Sequence, residues 1–132
     1  IAARIAAASP DEQASLIEMV WRLKNPAPRL VHGPKWDAWS DRYDGLDIAL
    51  SLETPGAFLG AVVDMLPEWW FVRQLEQDWR TACWNARITT RPNEGQVRAF
   101  DEGAAIGLGN ATGEASTPAL TLLAAIVLAE GL

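Results

Sequence analysis

One cysteine, one histidine and one tyrosine stand among 132 residues. A lone Cys83 excludes an intrachain disulfide, and a lone His32 leaves too few soft ligands for a zinc site. No apolar run is long enough to span a bilayer. The longest uncharged stretch, Ala115 to Ala129, carries Pro118 near its start and stops short of the ~18 to 20 residues a spanning helix needs. Ile1-Ala2-Ala3-Arg4-Ile5 is too short and wrongly flanked for a signal peptide. Basic residues are in deficit, 11 against 17 acidic for a formal charge of −6, which disfavours direct binding to nucleic acid. The expectation is a soluble cytoplasmic protein without membrane contact, metal or cofactor.

Phosphate-binding and catalytic patterns are missing too. Gly107-Leu108-Gly109-Asn110-Ala111-Thr112-Gly113 leads into a helix, but Thr112 stands where the dinucleotide fingerprint needs its third glycine. Glu114 and Ala115 stand where a P-loop needs Lys and Ser or Thr, and Glu114 would repel a phosphate. The stretch is expected to be a mobile connector. Cys83 reads as a structural residue in mid-strand and His32 lies in a Pro-rich loop, so no nucleophile and base pair is formed. Glu76 and Asp78 fall in a turn. No catalytic residues are expected.

What is present is a core. Hydrophobic residues make up 49% of the chain, ample for one domain spanning residues 1–132. The organising stretch is the last: Thr117 caps, Pro118 takes the first helical position, and no charge follows until Glu130. A helix apolar nearly all round must be covered on more than one side. Ser9-Pro10-Asp11-Glu12 is a helix start, followed by Ala14, Ile17, Val20 and Trp21 at helical spacing, with Leu16 and Leu23 widening the face. Trp36, Trp39, Tyr43, Leu46 and Leu50 make a second stripe, which Gly45 threatens to shorten to a helix beginning near that glycine. Thr54-Pro55 starts a third helix, with Phe58, Leu59, Val62, Val63 and Leu66 facing inward before Pro67. Trp69 to Thr90 reads as a hairpin turning at Glu76-Gln77-Asp78, with Ala82, Trp84, Ala86 and Ile88 on one face. Arg91 to Gly95 reads as a turn, with a third strand from Val97 to Phe100 and Ala104 to Leu108.

Two surface features are candidates for binding, although the plainer account of the first is the solvated flank of an amphipathic helix. Beside the second stripe, Asp37, Asp41, Asp44 and Asp47 step by three or four residues, which on a helix sets carboxylates about 5 to 6 Å apart, near the spacing of phosphates along one nucleic-acid strand. Trp36 and Trp39 lie among these charges beside a Pro/Gly break and are read as an exposed contact surface. The hairpin and the segment after it carry Arg73, Arg80, Arg87, Arg91 and Arg98. Pairing of these arginines with the acidic ridge inside the fold is the simplest account of the asymmetry.

Ala111 to Leu122, containing Ser116-Thr117-Pro118-Ala119-Leu120, resembles the closing signature of small phage and prophage proteins, the phage ABA sandwich domain. Leu46-Asp47-Ile48-Ala49-Leu50 is similar to that family's L-D-A-A-L segment, and Pro67-Glu68-Trp69-Trp70 to its P-E-G-W step, with Trp69 in the glycine's place. The resemblance implies a layered α/β/α sandwich with a small, mostly antiparallel sheet, and a phage origin without an assigned activity. The expected function is that of an accessory protein acting by non-catalytic binding to a host protein, a nucleic-acid-binding defence component in the bacterial cytoplasm. The alternative is a structural component of a phage working as a homo-oligomer through its Arg-rich hairpin.

Overall fold

A computed structural model describes the whole chain, Ile1–Leu132. Its elements are α1 (Ala2–Ala6), a 3-10 turn (Pro10–Glu12), α2 (Gln13–Lys24), α3 (Pro34–Ser51), α4 (Pro55–Val63), β1 (Trp70–Gln77), β2 (Trp84–Thr90), α5 (Glu94–Asp101), β3 (Asn110–Ala115) and α6 (Pro118–Glu130). None of the helices is long and apolar enough to cross a membrane.

The final helix forms the centre, as its composition requires. Thr117 accepts a hydrogen bond from Leu120 N at 3.2 Å, and every residue from Ala119 to Val127 is buried. One side of α6 lies on the sheet, touching all three strands, and other sides meet α1, α2 and α4. The one polar side chain among those buried residues, Thr121, donates to Trp84 O at 3.2 Å and Ala115 O at 3.3 Å, tying the helix to β2 and β3. Gly131 closes the helix in the left-handed conformation with φ of 67°, and Leu132 N returns to Val127 O.

The sheet is antiparallel with order β1-β2-β3. Ile88 and Ala86 point at α6 from β2, and Ala111 and Ala115 from β3. Gly113, expected in a mobile connector, is instead the middle of β3. A Cβ there would sit 2.2 Å from Thr121 O and 2.8 Å from Ala125 N, so glycine is what lets the α6 backbone lie against the strand. At the free edge, an irregularity in β1 between Val72 and Gln74 leaves Arg73 without a partner in β2 and blunts that edge.

The mixed α/β class with a small antiparallel sheet is as expected. Helix α6 covers one face of the sheet, and the second face presents Gln74, Glu76, Asn85, Arg87, Thr112 and Glu114 to a shallow depression of about 420 Å³.

Other corrections are local. Of the two pieces expected as a third strand, Val97 to Phe100 lies in α5, because Asn93 and Gln96 form a reciprocal capping box that starts a helix, and Ala104 to Leu108 is irregular. The third strand comes later, in the glycine-rich segment. The hairpin is present, but its turn spans 78–83, with Ala82 at φ of 59°, so Cys83 lies in the loop and not in mid-strand. Gly45 does not interrupt α3, which runs unbroken for 18 residues. In α2 and α4, Leu23 and Val63 are exposed where inward positions were expected.

Candidate partner-binding surface

Gly33, with φ of 92°, turns the chain into α3, and Pro34 takes its first turn without losing a hydrogen bond the helix needs. Along α3 the inward positions are Trp39, Tyr43, Leu46 and Leu50. Trp39 stacks on Tyr43 with ring centroids 5.4 Å apart and tilts against Trp21 at 5.7 Å and Trp36 at 5.2 Å. Its indole nitrogen donates to Asn25 O at 2.8 Å. The Arg22 guanidinium lies over Tyr43, 4.7 Å from the ring centre.

This cluster changes the reading of the tryptophans. Trp39 is only 6% exposed, and Trp36 is half-buried against the core, so neither forms the exposed contact surface read from their charged surroundings. The Pro/Gly break before them is the turn that brings α3 back onto α2, and the aromatic rings are what holds the two helices together. Tyr43 donates its hydroxyl to Glu18, and this carboxylate holds the phenol above its ordinary value of 10.0 by stabilising the protonated form, while Arg22 works in the opposite direction.

The outward side of α3 is the more open surface. Asp37, Asp41, Asp44 and Asp47 are all exposed. The chain has two ion pairs, Arg22 with Glu18 at 3.7 Å and Lys24 with Glu130 at 3.2 Å, and neither involves the ridge. The internal pairing between ridge and hairpin arginines expected from the charge asymmetry is therefore not made. Ile48 continues the line Asp37, Asp41, Asp44 by a further four residues and is 66% exposed, an aliphatic side chain at the end of a row of carboxylates.

The arginines sit elsewhere. Arg80 lies over Trp79, 5.3 Å from its ring centre, at the hairpin tip, where Trp79 is 86% exposed. Arg91 lies over Phe71 at 5.6 Å, and Arg87 is on the open sheet face. His32 is exposed in the loop before α3, Cys83 is half-buried in the hairpin loop, and no three His, Cys, Asp or Glu residues gather as metal ligands. The exposed indole of Trp79 is not apparent from sequence, because a tryptophan beside a strand is most simply assigned to the core. Its polar neighbours Asp78 and Arg80 were the available signal.

The fold and surface thus define a small mixed α/β protein in which α6 packs on one face of an antiparallel sheet, with α1, α2 and α4 against it and an acidic, partly aliphatic α3 outside. No protein-family model, curated protein or solved structure matches the chain.

Proposed function

We propose that the chain is a non-catalytic protein-binding module that meets a basic, partly apolar partner surface with the outer side of α3. The observation that carries this reading is Ile48, exposed at the end of the row Asp37, Asp41 and Asp44. Single exposed aliphatic residues are common on solvated helices, but one that extends a row of carboxylates gives that row an apolar anchor and suits a protein interface. With the resemblance of the sequence to small phage proteins, the partner is a host protein, and a defence component that binds nucleic acid is the fitting kind, because its phosphate-binding surface is basic and the carboxylates step at a comparable interval. The test is capture from bacterial lysate by the immobilised wild type, by Asp37→Ala/Asp41→Ala/Asp44→Ala and by Ile48→Asp. A partner held by the wild type and lost from both variants supports the reading; an identical set of captured proteins for all three sinks it.

A second reading, an assembly component that associates with itself through the hairpin, is favoured by the exposure of Trp79. It predicts self-association abolished by Trp79→Ala, and light scattering from a concentrated solution decides it.

A further inference from the structure

Three helical glycines, Gly45, Gly56 and Gly60, leave open space where a Cβ would sit, and two of them share one trough. Gly45 in α3 and Gly60 in α4 each forgo about 1 kcal/mol of helix stability relative to alanine. A Cβ at either would meet nothing within 4 Å, and neither has a positive φ. Both line one trough of about 650 Å³ between α2, α3 and α4. Its floor includes Leu46, Ala49, Ala61 and Met65, and Arg42, which makes no ion pair in the chain, stands with Leu52 at its margin. With no side chain at 45 and 60, the trough stays open to another backbone.

Elsewhere the molecule has a helix without a seat. None of the eight residues of α5 is buried, and the helix has no extended packing against any other element. A helix this short is marginal without tertiary packing. Val97 and Phe100, three residues apart and so on one side, are both exposed, Phe100 at 64%. Glu94 and Asp101 flank them. Beyond its own cap, the one side-chain hydrogen bond from α5 is Gln96 Nε2 to Gly107 O at 3.2 Å. The trough lacks an occupant with an apolar side and a carboxylate for Arg42, and α5 has both.

We propose that α5 of one copy seats in the α2–α3–α4 trough of a second copy, with Val97 and Phe100 over Gly45 and Gly60 and an acidic side chain of α5 on Arg42. Each copy then offers one helix and one trough at different places. The contact is heterologous, and it propagates head to tail unless the rotation closes a ring. Its small size makes it a weak association. This is a different surface from the outer side of α3 and from the hairpin tip.

Sedimentation of the wild type up to about 1 mM should give an average mass that rises with concentration. Gly60→Leu fills the trough and Phe100→Asp disables the helix, and each alone should raise the association midpoint roughly tenfold or more. Mixed in equal amounts, the two variants retain one intact helix and one intact trough between them, and they should form a heterodimer of twice the monomer mass and nothing larger. Gly45→Leu with Val97→Asp provides an independent pair should either variant fold poorly. A monomeric wild type, variants that associate as the wild type does, or mixtures of both pairs that stay monomeric would overturn the proposal.

Discussion

Gly113 is confined by backbone atoms, which cannot move aside as a side chain can. Gly113→Ala must push α6 off β3, and a loss on the order of 3 kcal/mol is expected in denaturant unfolding; a variant as stable as the wild type would show that α6 can shift without cost. Trp69 poses the opposite case. It holds φ of 71°, where an L-residue pays about 1 to 2 kcal/mol, and its side chain is 62% exposed. Trp69→Gly should raise stability by up to about 1 kcal/mol, the backbone relief being partly offset by glycine's larger unfolded-state entropy. The left-handed turn at Trp69 was not legible in the sequence, which reads there as the start of an aromatic strand, and neither was the close approach at Gly113, because it depends on where a later helix comes to rest. Tyr43 is the single tyrosine, so its phenolate can be followed by near-ultraviolet absorbance. It should ionise above its ordinary value, and Glu18→Gln should bring the midpoint down by replacing a charged acceptor with a neutral one, which no longer opposes the phenolate. The sign for stability comes from linkage: the contribution of this pair is complete below the unfolded pKa and is lost as pH rises through the raised folded value.

Among the elements, α6 and the hairpin follow from composition and alternation, since an uncharged helix with a good cap and a β-branched, aromatic run each have few alternatives. Helix α3 was legible in its stripe but not in its length, because Gly45 weighs against a helix locally while Trp39, Tyr43, Leu46 and Leu50 anchor it on both sides of the glycine. Misreading α5 as a strand has another cause. Val97 to Phe100 is short and apolar enough for either, and the deciding signal was the Asn93 to Gln96 box just upstream. The acidic ridge was legible as a ridge, but the burial of Trp39 beside it required knowing where α2 lies. At this scale the ridge carries a cost. Asp41, Asp44 and Asp47 repel one another at successive helical steps, and aspartate is a poorer helix former than alanine. Replacing the three with alanine should raise stability by about 1 kcal/mol, read as an increased midpoint of thermal unfolding, and a decrease would mean that these carboxylates support the fold.

For the whole molecule, a charge of −6 with only two ion pairs means that electrostatics oppose compaction more than they assist it. Going from about 10 mM to about 150 mM salt shortens the screening length from about 30 to about 8 Å. The thermal midpoint should rise, and a fall would reveal stabilising charge interactions beyond the two pairs. The central position of α6 has a consequence for how this chain reaches its fold. Every layer is closed by a helix made after all the others, and contacts such as Ser116 Oγ to Ala8 O join residues 108 positions apart. Local helices can form early, but the sheet and outer helices have no common core until α6 arrives. Folding should accordingly be slow for so helical a chain, its barrier set by long loop closures, and during synthesis the apolar undersides of α2, α4 and β2 stay open to chaperones until Pro118 to Val127 has emerged.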